Sequence, residues 1–140
     1  MATNKIYAVI DTNVIVSALL GKNNKSNPSL VYEAVLDGTI IPVYNDEILN
    51  EYRNVLSRRN KFPFREEDAD NVANLIIRTG LELERTTTFE GVFPDPKDVV
   101  FYEVTLSKDD AYLVTGNIKH FPKKPFVVTP AEMVAILKKQ

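Results

Sequence analysis

The sequence predicts an α/β domain with a mainly parallel central sheet flanked by helices. Three observations carry that expectation. Short apolar runs of strand length alternate with segments of helical periodicity along the whole chain. The first run, Lys5-Ile6-Tyr7-Ala8-Val9-Ile10, is rich in β-branched residues and ends abruptly in Asp11-Thr12-Asn13. The length, 140 residues, suits one domain around one core, taken here as residues 1–140.

The elements follow in order. A strand over 6–10 leads into a short apolar helix over 12–20. A polar connector from Gly21 to Asn27 then gives way to a helix that opens at Pro28 and closes near Asp37-Gly38. Residues 39–44 read as a second strand, in which Pro42 points to a strand near an edge or to a bulge. Asn45 or Asp46 caps a helix over 46–58, whose stripe is Ile48, Leu49, Tyr52, Val55 and Leu56. Pro63 interrupts the pattern. A helix over 66–79 stops at Gly80, with Val72, Leu75 and Ile76 inward. Residues 81–87 alternate like a half-exposed strand. Asp95-Pro96 opens a helix to about Leu106, with Asp95 as N-cap and Asp98 at its third position. Strands over 112–115 and 125–129 follow, separated by a loop or single helical turn, and Pro130 starts a closing helix to Lys139.

Composition excludes several kinds of chemistry. There is no cysteine, so disulfides, thiolate metal sites and a cysteine nucleophile are out. The single histidine, His120, leaves no multi-histidine zinc site within one chain. Any metal bound by this chain is therefore a hard cation on oxygen ligands, Mg²⁺ or Mn²⁺ in kind. No apolar run approaches the ~18 residues of a membrane span, and nothing resembles a signal peptide, which gives a cytoplasmic protein with no membrane partner. Net charge is −2, yet residues 108–140 hold six basic and three acidic side chains, a local positive excess.

Four positions bring oxygen ligands toward the carboxyl ends of strands, where open α/β sheets bind ligands. Asp11 stands at the exit of the first strand, either as a ligand or as the N-cap of the next helix. Glu51 lies about 100° from the centre of its helix's apolar stripe, so it either leans into a cleft or decorates a surface flank. Asp98 is a ligand at a helix start or an acid complementing the helix dipole. Asn117, in Thr115-Gly116-Asn117, lies at a strand exit as Asp11 does. Asp109 and Asp110 precede that strand, so its rise of about 15 Å sends them to the opposite edge as turn residues.

These segments together resemble the PIN-domain family, and within it the branch of toxin components of toxin–antitoxin systems. The resemblance rests on Val9-Ile10-Asp11-Thr12-Asn13-Val14, on Glu47-Ile48-Leu49-Asn50-Glu51-Tyr52 with Val55-Leu56, and on Asp95-Pro96-Lys97-Asp98 with Phe101. It extends to Tyr112-Leu113-Val114-Thr115-Gly116-Asn117 with Lys119-His120-Phe121-Pro122, in that order along nearly the whole chain. It implies a metal-dependent ribonuclease in which Asp11, Glu51 and Asp98 hold Mg²⁺ or Mn²⁺, and Thr12, Asn13 and Asn117 orient water or the acids. The family's fourth acid usually ends a Thr-Gly-Asp segment; Asn117 in its place lowers the cluster's charge from four to three.

In this reading Thr12, Asn13, Thr115, Lys119 and His120 contact an RNA substrate, and the loop of Lys119 and His120 either reaches phosphate or simply faces water. Arg58, Arg59, Lys61 and Arg65 form a second basic run that either guides RNA or simply faces water. An antitoxin protein and a homodimer are the partners the family implies. The alternative is a catalytically weak or inactive PIN-like module that binds RNA or a protein. An aspartyl-phosphate phosphatase, which also places Asp after its first strand, needs a second aspartate two residues on, and this chain has Asn13 there.

Overall fold

In the computed structural model, which describes residues 5–21, 25–58 and 61–140, five parallel strands lie in the order β3-β2-β1-β4-β5. Along the chain run β1 (Ile6–Ile10), α1 (Thr12–Leu20), α2 (Asn27–Leu36), β2 (Ile40–Tyr44), α3 (Asp46–Leu56), α4 (Glu66–Thr79), β3 (Leu81–Glu82), α5 (Val99–Leu106), β4 (Tyr112–Val114), β5 (Val127–Val128) and α6 (Pro130–Lys138). β1 is central, and four of its five residues are buried, as the Ile/Val/Ala run requires of a strand covered on both faces. Helices flank the sheet. The amphipathic α3 buries Ile48, Leu49, Tyr52 and Leu56, while Val55 is half-buried. α5 is apolar nearly all round; it packs on β1, β2 and β4 and buries five consecutive residues, Phe101 to Thr105.

Pro42 lies near the edge of the sheet, one of the two placements expected, and not in a bulge: it pairs in register with Ala8, and β2 is the second strand from the β3 edge. The Thr39 carbonyl accepts from Ile6 of β1, so by strand alternation the nitrogen of Pro42 faces away from β1, toward β3. There the ladder begins only at Val43–Leu81, and the missing N–H costs no pairing.

The strand expected over 81–87 pairs only at Leu81–Glu82. Beyond it Arg85 turns to Glu103 and Glu47, and the Thr86 N–H donates to Ser107 Oγ, so the chain leaves the sheet to cross α5. The helix expected from Asp95 is a 3₁₀ turn, Pro96–Asp98, before α5 begins at Val99; Asp98 therefore precedes the α-helix instead of lying in its first turn. Asp95 does cap, accepting from the Lys97 N–H at 3.0 Å. The residues before Lys5, part of the Gly21–Asn27 connector, and Arg59 of the second basic run lie outside the described residues.

Candidate functional site

The strand order has a direct consequence for binding. From β1 the chain winds outward to β2 and β3, then returns to place β4 on the other side of β1. The reversal leaves a crevice at the carboxyl ends of β1 and β4, the point where open parallel sheets take ligands. Asp11 and Thr115 are the residues that follow those two strands.

They meet there. Thr115 Oγ1 donates to Asp11 Oδ2 at 2.7 Å, and both residues are buried. Asn13 Nδ2 reaches the same carboxylate oxygen at 3.4 Å, and Asn13 Oδ1 accepts from the Gly116 N–H at 3.3 Å. The two strand-exit turns are thus laced together through side chains. Asp11 occupies the N-cap position of α1, yet its side chain makes no capping bond. Of the two roles open in the sequence, the cap is not realised. Instead burial, with the Asp98 charge adding to it, pushes the Asp11 carboxyl up to about 6, against the lowering effect of the Thr115 hydroxyl.

Glu51 comes to the same crevice from α3. Its neighbour Tyr52 donates a buried hydroxyl to the Ile10 carbonyl at 2.5 Å, one residue before Asp11. That bond ties the helix bearing one acid to the strand end bearing the other, and burial pushes the Tyr52 hydroxyl pKa up, so it remains a donor. Asp98 arrives from the 3₁₀ turn before α5. Burial raises its pKa first and the Asp95 charge second, while His120, with Nδ1 at 3.5 Å, opposes both; Glu51 adds a further raising effect.

Asp11, Thr12, Asn13, Glu51 and Asp98 line one cleft of about 230 Å³. Thr12 Oγ1 is buried beside it with no hydrogen-bond partner, which is costly unless something in the cleft supplies one. Among the described residues no three acidic or histidine side chains converge closely enough to chelate an ion by themselves. The acids that share the cleft, all oxygen donors, fit a hard cation that keeps much of its water, as Mg²⁺ does, with waters spanning the gaps.

The remaining sequence candidates are placed as follows. Thr115 supports Asp11, and His120 faces Asp98. Asn117 is exposed on the turn after β4, where its N–H donates to Thr115 Oγ1 at 3.0 Å; its side chain is not part of the cleft wall. Lys119 lies in a separate cleft of about 370 Å³ with Lys123 and Lys124. Asp110 has φ 65 in the turn before β4, as expected of a turn residue. Sequence reasoning missed Phe62 and Lys97 as walls of the carboxylate cleft. Lys97 lay inside the Asp95–Asp98 motif, and Phe62 was legible only as an aromatic in a polar connector.

The fold and site define a class: a parallel α/β domain with acidic residues at the switch point of its sheet. The family model of the PIN domain matches residues 7–119, and the chain belongs to the PIN-domain family. Members of this family are generally nucleases that use divalent metal ions. No curated protein matches the sequence. A crystal structure of VapBC2 from Rickettsia felis bound to a DNA fragment from their promoter is similar, with a TM-score of 0.56 and 15% identity. The similarity covers 89% of this chain and 97% of that one. At that identity the likeness is one of fold. No helix among the described residues is long and apolar enough to cross a membrane.

Proposed function

We propose that this chain is a metal-dependent ribonuclease that hydrolyses RNA phosphodiester bonds, acting as the toxin of a toxin–antitoxin pair. The observation that supports the chemistry best is the buried Asp11 carboxylate. Fold stability alone gives no reason to bury an acid whose pKa is driven up by desolvation and by a second acid in the same cleft. A cation there reverses the balance, since it favours the charged form of every acid around it.

Asp11, Glu51 and Asp98 are the residues that hold Mg²⁺ or Mn²⁺, directly or through water. When bound, the metal supplies Lewis acidity: it lowers the pKa of an attacking water and neutralises charge on the phosphate. The chain's own groups do the positioning. Thr115 fixes the Asp11 carboxylate, Asn13 holds the two strand-exit turns in register, and Thr12 Oγ1 has a free donor and acceptor for a cleft water. His120 orients Asp98, and Lys97 at the rim offers a cation to the phosphate backbone. The toxin assignment rests on the family resemblance of the motifs, and the VapBC2 likeness supports it at the level of fold.

The deciding experiment is cleavage of a structured and an unstructured RNA with Mn²⁺ or Mg²⁺ against a chelator control. Metal-dependent product that vanishes in chelator supports the ribonuclease. Absence of cleavage with retained RNA binding favours a binding module, a reading that draws on the neutral Asn117 at the fourth position.

A further inference from the structure

Phe62 is an unusual wall for a cleft of carboxylates. It is half-buried, and it lines the same space as Asp11, Glu51 and Asp98, with the exposed Lys61 and Lys97 also at that wall. Its ring stacks on Phe64, with centroids 5.5 Å apart and planes 24° from parallel. Lys61 Nζ lies over the same ring, 5.6 Å from its centroid, on an exposed side chain. The backbone N–H groups of Lys61 and Phe62 donate to the Arg58 carbonyl at 3.1 and 3.0 Å, which anchors the pair just beyond the end of α3, the helix that carries Glu51. The backbone that carries the aromatic is therefore tied to the end of the helix that bears one of the acids.

We propose that Phe62 is a base-stacking residue: it takes one unstacked nucleobase of single-stranded RNA beside the phosphate that approaches Asp11, Glu51 and Asp98. This rests on the ribonuclease reading above. A flat ring already stacked on one neighbour offers a platform that a third planar group extends, and stacking on aromatics is the sequence-tolerant way to hold single strands. The charge around the ring matches that occupant. Lys61, whose exposed side chain swings off the ring as the base docks, and Lys97 answer phosphates on the strand, while the uncharged ring meets the base. A base inside a duplex presents no free face, so the platform selects unpaired RNA.

The test compares wild type, Phe62→Ala and Phe62→Trp for binding of a short single-stranded RNA, at low salt with chelator so that no cleavage occurs. The same RNA is then scanned with a single abasic nucleotide. Thermal unfolding of each variant checks that the fold is retained. The expected result is about tenfold weaker binding by Phe62→Ala and full affinity in Phe62→Trp. One abasic position should weaken wild-type binding by a similar factor and have no further effect in Phe62→Ala.

Equal affinity of wild type and Phe62→Ala, or abasic losses that are the same in both, overturns the proposal; the ring then packs the connector or meets a protein partner. Metal-dependent cleavage by the wild type together with Phe62-independent binding overturns the stacking role and leaves the ribonuclease standing. Phe62-dependent binding without any cleavage does the reverse. A wild type that neither binds nor cleaves overturns both.

Discussion

Replacing Asp11 with asparagine separates the demands of folding from those of chemistry. Burial and the neighbouring Asp98 raise the Asp11 pKa from its ordinary 3.8 to about 6. That rise corresponds to about 3 kcal/mol of destabilisation when the group is ionised in the metal-free fold. The folded state holds this proton more tightly than the unfolded chain does. The Asp11 contribution to stability is therefore most favourable below about pH 3.8, falls as pH rises to about 6, and is flat above that. Asparagine keeps the size and an oxygen to accept the Thr115 hydroxyl, and it removes the charge. Its amide adds a buried donor, which takes back about 1–2 kcal/mol. Asp11→Asn is thus expected to be more stable than wild type by about 1–2 kcal/mol at neutral pH without metal, a rise in Tm of about 3–8 °C.

Urea unfolding of both proteins in chelator, repeated between pH 4 and 7.5, reads the difference. The gap should open in favour of the variant as pH rises, and shrink and reverse toward pH 4, where wild type is largely protonated and only the cost of the buried amide remains. Added Mn²⁺ should then reverse the order, because a ligand that binds only the folded state stabilises in proportion to its affinity, and the variant has lost its central acid. A variant less stable than wild type in chelator at neutral pH, or a gap that does not change with pH, refutes the burial argument. A variant with full metal-dependent cleavage refutes the role given to Asp11.

Three further outcomes follow from the same geometry. Asn117→Asp should tighten Mn²⁺ binding, but by less than about tenfold, because the side chain is exposed and its charge is screened; calorimetric titration measures it, and weaker binding counts against a site on that side of the cleft. Replacing Lys119 and Lys123 together with alanine should weaken RNA binding and reduce the salt slope by about 1–2, whereas an unchanged slope removes that cleft from the RNA path. Tyr52→Phe leaves the Ile10 carbonyl without its buried donor and should cost about 1–2 kcal/mol in urea unfolding, with a larger fractional loss of cleavage than of RNA affinity, since the bond sets Glu51 relative to Asp11.

The architecture was legible because the strongest signals in this chain are local. The apolar β1, the stripe of α3, and Gly80 after α4 each state their own conformation through a few residues, and each appears where the periodicity puts it. Legibility fails where a distant partner overrules the local preference. Residues 83–87 alternate as a strand does, but Arg85 finds the buried Glu103 carboxylate at 2.7 Å, and the exchange of a sheet edge for an ion pair is invisible in either segment alone. Pro42 marked a strand near the edge, but which neighbour its nitrogen faces, and hence its cost, shows only in the assembled sheet.

By itself, then, the sequence determined the parallel α/β class, most of the elements and the candidate acids at their ends and flanks, because strand and helix preferences and strand-exit positions are properties of consecutive residues. Only the tertiary structure decided that β4 returns to the far side of β1, so that Thr115 meets Asp11 across 104 positions of chain. It likewise decided that Asp11 caps nothing, that Asn117 stays exposed while Phe62 enters the cleft, and that Tyr52 ties Glu51 to the strand end. The reason is physical. Strand order and side-chain burial are set by the packing of all the elements at once, and the desolvation that raises the Asp11 pKa exists only when that packing is complete.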